Sequence, residues 1–485
     1  MSELKDLRKF YINGQWVESS NGKDLEVINP STEESIAVIT LGSTEDADKA
    51  VAAAKAALPK WSATEPQERL AFVKKIYDAY KQRVGDVAEA VSAEMGAPIK
   101  LANTAQAPVG LKHMENFINA FEGFKFVEPL NDKTDDTVVA WEPVGVVAAI
   151  TPWNWPLNQI FLKIIPAILA GDTVVLKPSE IAPINAMIVA EVIDQAGLPA
   201  GVFNLVNGDG AGVGSRLTSH PDVAMVSFTG STRAGRQITK SAADTIKKVE
   251  LELGGKGANL VFADAGEEAV KRSVIHCFNN SGQSCNAPTR MLVERSFYDK
   301  AIEIAKQVAE QTQVDDAAKE GNHIGPVVSE QQWQKIQDLI QKGIDEGARL
   351  VIGGTGKPEG KDKGYFVRPT VFADVNNDMT IARQEIFGPV LSIIPFDSEE
   401  EAVQIANDTV YGLTNYIQTR DVDRRRRLSR AVQSGMVETN GKSRADGSAF
   451  GGIKESGHAR EGGIYGLKSF MNSKFISGWS EASNT

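Results

Sequence analysis

The chain has little of the residues that most often staple or metallate a fold. Of its 485 residues, two are cysteine and five are histidine. Two cysteines cannot build a disulfide framework, which points to a reducing compartment. The scattered histidines have no metal-ligand spacing, so no metal site is expected. No stretch reaches the roughly 20 apolar residues of a membrane span. The segment Met1-Ser2-Glu3-Leu4-Lys5-Asp6 lacks an apolar signal core, and the expected location is cytoplasmic. Positive charge is also in deficit. A net charge of −11 favours solubility and argues against a nucleic-acid groove. The basic run Arg424-Arg425-Arg426-Arg427 follows Asp421 and Asp423 and reads as a solvated helix face. Internal repeats and low-complexity linkers are missing too, so the domains are expected to pack directly on one another.

What is present is an ordinary globular composition, 42% hydrophobic and 24% charged, in a chain long enough for two or three domains. Helical periodicity runs through Ala47–Ala57 and Glu65–Val91. Strand-like runs follow at Val138–Trp141, Val144–Ile150, Thr173–Lys177, Val202–Val206 and Ala224–Phe228, with a helix over Ile184–Gln195 that Gly197 and Pro199 end. The pattern resumes with strands near Ala258–Val261 and Arg290–Val293, helices around Tyr298–Gln311 and Gln332–Glu346, and late strands at Val390–Pro395 and Phe470–Ile476. Strands separated by helices predict an α/β fold with mostly parallel sheets covered on both faces.

The residue types then turn to chemistry. Cys285 ends the small, polar stretch Asn280-Ser281-Gly282-Gln283-Ser284-Cys285, where a thiol can stay open to substrate. Cys277, in Ile275-His276-Cys277-Phe278, has an apolar setting and reads as core. Glu250-Leu251-Glu252-Leu253-Gly254-Gly255-Lys256 places the Glu252 carboxylate between apolar residues before a double glycine. A thiol nucleophile with an isolated carboxylate base can perform covalent catalysis followed by hydrolysis. A cysteine protease pairing His276 with Cys285 is the less usual arrangement, because catalytic histidines seldom lie so near in sequence.

Two glycine clusters follow strands: Asn207-Gly208-Asp209-Gly210-Ala211-Gly212-Val213-Gly214, and Thr229-Gly230-Ser231-Thr232-Arg233-Ala234-Gly235. Such turns let backbone N–H groups approach phosphate. The second has the glycine spacing of a P-loop, but Arg236-Gln237 stands where Lys-Ser/Thr is required, which speaks against an ATPase. In Thr151-Pro152-Trp153-Asn154-Trp155-Pro156, prolines fix the backbone on either side of an asparagine amide, as an oxyanion site requires.

Together these motifs resemble the NAD(P)-dependent aldehyde dehydrogenase superfamily, over nearly the whole chain. Thr151-Pro152-Trp153-Asn154, Glu252-Leu253-Gly254-Gly255-Lys256, Gly282-Gln283-Ser284-Cys285 and Glu385-Ile386-Phe387-Gly388-Pro389 carry the resemblance, in the family's order. Gly364-Tyr365-Phe366-Val367-Arg368-Pro369-Thr370 and Phe450-Gly451-Gly452-Ile453-Lys454-Glu455-Ser456-Gly457 support it. Ala449 departs from the proline that many members carry before Phe-Gly-Gly, a change expected to bear on loop stiffness more than chemistry.

The resemblance implies a Rossmann-like nucleotide-binding domain over 1–124 and 144–254, an α/β catalytic domain over 255–455, and a β arm over 125–143 and 470–485 that joins a homodimer or homotetramer. It implies that Cys285 attacks an aldehyde, that Asn154 and the Cys285 N–H hold the oxyanion, and that Glu252 activates water to release a carboxylic acid. Cofactor contacts carry over to Thr151, Trp153, Lys177, Ser179, Glu180, Gly212, Gly230, Ser231, Leu253, Glu385 and Phe387. Glu180, expected at the adenosine 2′-hydroxyl, favours NAD over NADP, although Lys177 offsets part of its repulsion and leaves NADP open. Trp155, Asn158, Gln159, Leu162, Ser284, Asn286 and Phe450 are expected to line the aldehyde passage, with Lys442 and Arg444 near its mouth as possible attractors of a carboxylated aldehyde. Glu461 matches a position sometimes given a secondary proton role. A CoA-acylating relative would lack the hydrolytic carboxylate that Glu252 supplies, and a structural or purely nucleotide-binding relative would not need Asn154, Glu252 and Cys285 together.

Overall fold

The computed structural model describes residues 4–132 and 136–479. The expected arm segments therefore fall partly outside the described residues, at 133–135 and 480–485. The first large sheet has seven strands. Lys248–Glu252, Met225–Thr229, Val146–Ile150, Thr173–Lys177 and Phe203–Leu205 run parallel in that spatial order, and the hairpin Phe10–Ile12 with Gln15–Val17 closes one edge antiparallel. The central strands Val146–Ile150, Thr173–Lys177 and Met225–Thr229 are buried along their whole length, as expected of a sheet covered on both faces, and the first is an unbroken run of Val, Ala and Ile. One covering helix, Pro156–Ala170, starts with proline in its first turn and buries all but one of its side chains. Another, Ile184–Gln195, has the limits its sequence pattern predicts.

Strand order reverses between Val146–Ile150 and Met225–Thr229, because the chain runs outward to Phe203–Leu205 before returning on the other side. In an open parallel sheet, ligands bind at the C-terminal edge of such a switch point. Thr151-Pro152-Trp153-Asn154 leaves one of these two strands and Gly230-Ser231 leaves the other.

The second large sheet is also seven-stranded. Thr370–Ala373, Val390–Phe396, Arg290–Glu294, Ala258–Val261, Thr414–Gln418 and Met436–Thr439 are parallel, and Arg349–Ile352 pairs antiparallel at one edge. Cys277 is fully buried beneath it, among Val274, Phe278, Met291 and Leu391. The two runs read over residues 138–150 enter different sheets. Thr137–Pro143 pairs antiparallel with both Val127–Pro129 and Met471–Ser477, while Val146–Ile150 lies at the centre of the parallel sheet. Gly145, at φ 127°, makes the change of direction in a backbone conformation that side-chain-bearing residues rarely adopt.

The basic run lies on the helix Val422–Ala431, whose first turn Asp421 caps. It is less solvated than its composition implies. Arg424 lies over the Phe262 ring at 4.4 Å, and Arg424 and Arg427 both reach Glu399. No helix among the described residues is long and apolar enough to cross a membrane.

Candidate active site

Three consecutive residues, Asn280 at φ 52°, Ser281 at φ 57° and Gly282 at φ 73°, take the left-handed backbone just before Cys285. Only the last is a glycine, so the turn stores strain, on the order of 1–3 kcal/mol at each non-glycine position. Buried hydrogen bonds hold it. Ser281 Oγ donates to the Gly325 carbonyl at 2.8 Å, the Val328 N–H donates to Gln283 Oε1 at 2.9 Å, and Asn280 Nδ2 donates to the Asn154 carbonyl at 3.0 Å. Gln106, from a short π-helical turn, donates to the same carbonyl at 3.0 Å. The Asn154 side-chain amide donates one N–H to the Gln283 carbonyl at 3.0 Å.

The turn delivers Cys285, partly exposed, to a cavity of about 200 Å³ whose lining includes Asn154, Trp153, Gln159, Gly230, Ser231, Leu253, Glu385 and Phe387. Burial first, then the Glu385 and Glu252 carboxylates, push the Cys285 thiol above its ordinary range, while its own backbone N–H opposes the shift. In the free protein the sulfur therefore rests as a thiol. Gln332 and Lys335 add a polar wall to this cavity from the helix Glu330–Asp345. Gln332 Nε2 also donates to the Ile386 and Phe387 carbonyls at 3.2 and 3.0 Å. Phe387, itself left-handed at φ 62°, sets its ring edge-on to Trp153 at 5.4 Å.

The residues suit a dinucleotide. Ser231 caps the helix Thr232–Ala242, whose first N–H groups face the switch-point cleft. At Gly254 a Cβ would come within 2.5 Å of Glu385 Oε2, so only glycine leaves that carboxylate in place, where it accepts from the Gly255 N–H at 3.0 Å. At the next strand end, Thr151 N–H donates to the Lys177 carbonyl at 3.1 Å, and the Lys177 ammonium donates to Glu180 at 3.0 Å. Ser179 is buried beside them. Gly212 lies in the turn Gly210–Gly214, where its N–H is taken by Asp209. A groove opens between that turn and Ala234 and Ile238 of the capped helix, lined by Ile150 and Phe228 and by polar Ser215, Thr218, Arg233 and Gln237.

Glu252 ends an edge strand of the first sheet and is buried. Neither of its carboxylate oxygens has a hydrogen-bond partner among the described residues. Burial, followed by the nearby Glu461 carboxylate, raises it well above the ordinary carboxylate range. Gly451 leaves it room: a Cβ there would stand 2.8 Å from Glu252 Oε1. Glu461 pairs with Lys163 in a buried ion pair. It also joins Phe450 through reciprocal backbone bonds of 2.7 and 2.8 Å.

A second cavity lies on the far side of the nucleophile turn. Asn158, Leu162, Asn286, Phe450 and Glu461 line it, together with His113, Asn116, His276, Glu438 and Arg444. Of the residues expected there, Gln159 instead lines the Cys285 cavity on the other side, where its Oε1 accepts from the Thr229 hydroxyl at 3.0 Å. Trp155 and Ser284 are not part of the lining and bond to each other, indole N–H to hydroxyl, at 2.8 Å. Lys442 is exposed outside the cavity. His276 sits in this wall edge-on to Tyr416.

Gln106, Lys163, Gln332, Lys335, His113 and Glu438 were not singled out from the sequence. Only Lys163 carries a plain signal, a lone lysine within Ile160-Phe161-Leu162-Lys163-Ile164-Ile165, where a buried charge demands a partner.

The model of the aldehyde dehydrogenase family matches residues 16–476. A 3-succinoylsemialdehyde-pyridine dehydrogenase from a Pseudomonas species is 47% identical over 98% of this chain and 99% of its own. The crystal structure of an aldehyde dehydrogenase from Bartonella henselae superposes with a TM-score of 0.98 at 60% identity, over 98% of this chain and 100% of that one. Aldehyde dehydrogenase C of Pseudomonas syringae, crystallised as a cysteine-to-alanine variant with NAD+ and octanal, superposes at 0.96 with 43% identity over 98% of each chain.

Proposed function

The chain belongs to the aldehyde dehydrogenase family, and from that premise we propose that it oxidises an aldehyde to the carboxylic acid through a covalent bond to Cys285. The observation that carries this reading is the pairing of an accessible thiol with a buried carboxylate that has no partner of its own. Cys285, after its proton leaves to solvent water, adds as the thiolate to the carbonyl carbon, and the oxyanion that forms is held by the second N–H of the Asn154 amide and by the Cys285 backbone N–H. One preorganised donor of this kind accounts for roughly 100- to 1000-fold in related acyl chemistry. NAD+ bound in the switch-point cleft supplies the hydride acceptor that turns the adduct into a thioester. Glu252 then takes a proton from water, and the hydroxide cleaves the thioester, returning the thiol. Its raised proton affinity suits a base that works near neutral pH.

Glu385, Phe387 and Trp153, which line the Cys285 cavity together, suit a nicotinamide riboside, and Gly230 and Ser231 at the helix N-terminus suit the pyrophosphate. The groove beside Gly210–Gly214 suits adenine, and Lys177 and Glu180 its ribose. The Glu180 carboxylate favours NAD over NADP. The division into 1–124 with 144–254, 255–455, and an arm of 125–143 with 470–485 is supported by the two seven-stranded sheets and the sheet of Val127–Pro129, Thr137–Pro143 and Met471–Ser477. Phe475 and Trp479 are exposed on that arm, an edge suited to a second copy in a homodimer or homotetramer. A free nucleophilic thiol suits the cytoplasm. The aldehyde-oxidising relative from Pseudomonas is named for a pyridine-bearing semialdehyde, which supports a substrate with a polar distal group here.

The decisive experiment is an aldehyde panel with NAD+, read by absorbance of the reduced cofactor, with Cys285→Ala as control. Free acid as product supports the reading. No reduced cofactor from any aldehyde, or equal turnover in the control, refutes it.

A further inference from the structure

The second cavity is polar, yet its charges cancel within it. Arg444 reaches Glu438 at 3.4 Å and lies over the Phe450 ring at 4.7 Å. Lys112 is paired with Asp446 at 2.6 Å across the mouth, and Glu461 with Lys163 beneath the floor. His113 contacts Asn158 Oδ1 through Nε2 at 2.7 Å and is held neutral, burial lowering it to about 4. What remains to meet a ligand is a set of neutral hydrogen-bonding groups. The side chains of Asn116, Ser443 and Ser448 line the space without a hydrogen bond among the described residues, and Asn286 lines it with its amide against the Tyr416 hydroxyl. The Glu438–Arg444 pair stands close to the chemistry. Glu438 is the cross-strand neighbour of Tyr416, whose hydroxyl donates to the carbonyl of Asn286, the residue after the nucleophile, at 2.5 Å. Arg444, read from the sequence as an attractor of carboxylates, is therefore already neutralised.

We propose that this cavity selects uncharged aldehydes bearing a hydrogen-bonding group beyond the carbonyl, and that Glu438 sets the selection by cancelling Arg444. The proposal rests on the dehydrogenase reading for the identity of the reacting group. A site built of unpaired neutral donors and acceptors discriminates against an alkyl chain that leaves them unmet, and against a charge that finds no free counterion.

Binding to Cys285→Ala, which cannot turn over, tests it. Calorimetry is run with 4-hydroxybutanal, succinic semialdehyde, hexanal and betaine aldehyde. 4-Hydroxybutanal should bind about tenfold or more tighter than the other three. Adding Glu438→Gln frees Arg444 and should strengthen succinic semialdehyde by about tenfold while leaving 4-hydroxybutanal within a factor of about three. The reciprocal Arg444→Gln, informative even if Glu438→Gln fails to fold, should strengthen betaine aldehyde instead. Tightest binding of succinic semialdehyde or hexanal in the parent, or no gain in either variant, overturns the proposal. Because the readout is binding, a wild-type protein that oxidises nothing would defeat the dehydrogenase reading while these affinities still decide the selectivity.

Discussion

Asn154 donates through its side-chain amide to the Gln283 carbonyl while its own carbonyl accepts from Asn280 and Gln106, so the exit of one sheet and the nucleophile turn before another are tied at both ends of a single residue. The Asn154 amide and the Cys285 sulfur are thus fixed relative to each other before any substrate arrives, which is the preorganisation the proposed acyl chemistry needs.

Asn154→Ala removes both the oxyanion donor and one of these ties. Turnover should fall roughly 100- to 1000-fold, while the dissociation constant for NAD+, measured by fluorescence titration, stays within a factor of about three. A change confined to cofactor binding would place the residue outside the reacting centre.

Glu252→Gln should leave acylation intact and stop hydrolysis. Stopped-flow mixing is expected to show one equivalent of reduced cofactor per site, followed by a steady rate about 100-fold or more below wild type. Loss of the burst would reassign Glu252 to activating the thiol. In the wild-type enzyme the hydrolytic rate should climb with pH, because burial raises Glu252 and only its ionised form accepts a proton from water.

Alkylation of Cys285 in the free enzyme should also accelerate with pH, by about tenfold per unit up to its raised pKa, since the thiolate is the reacting species. Peptide mapping after iodoacetamide treatment distinguishes Cys285 from buried Cys277. A rate flat from pH 6 upward would mean a thiolate is already present.

Lys256 is fully buried, and its ammonium nitrogen has no hydrogen-bond partner among the described residues. Burial lowers it to about 7 from 10.5. The unfolded chain therefore holds more protons between those values, and this residue's contribution to stability rises with pH over that window, by up to a few kcal/mol. Lys256→Met removes the penalty. Its Tm should exceed wild type at pH 7 and the gap should close toward pH 10, as differential scanning fluorimetry would record. A gap independent of pH would show that the charge is not the cause.

Glu94, buried in the helix Pro66–Met95, accepts from the backbone N–H groups of Ile184 and Asn185 at 2.6 and 2.9 Å and from Asn185 Nδ2 at 2.7 Å, so it caps a helix about 90 residues away. Glu94→Gln turns one acceptor into a donor facing donors. It should cost about 1–3 kcal/mol, read as a lower Tm with unchanged turnover per folded molecule.

Much of this was legible in the sequence where a residue's role is local. The helices Ile184–Gln195 and Tyr298–Gln311 and the strand Ala258–Val261 declare themselves through apolar period and flanking turn residues. Cys285, Glu252 and Asn154 stand out because each breaks the expectation for its surroundings. The second cavity was less readable, since its walls come from a helix at Val109–Glu122, a strand at Met436–Thr439 and the loop after it. Nothing local marks Gln159 as facing the Cys285 cavity from Pro156–Ala170 while Asn158 lines the second one. The pairing of Arg444 with Glu438, only six residues earlier, depends on how the loop after Met436–Thr439 folds back, which the sequence pattern does not display.

Lys163 and its counterion Glu461 are 298 positions apart. A nascent chain emerging from the ribosome makes the helix that contains this lysine well before the carboxylate that balances it. Until then the helix core holds an ammonium group whose burial alone would cost several kcal/mol. The thiol at Cys285 is also synthesised before that carboxylate, so the sulfur is in the chain before the helix charge is balanced.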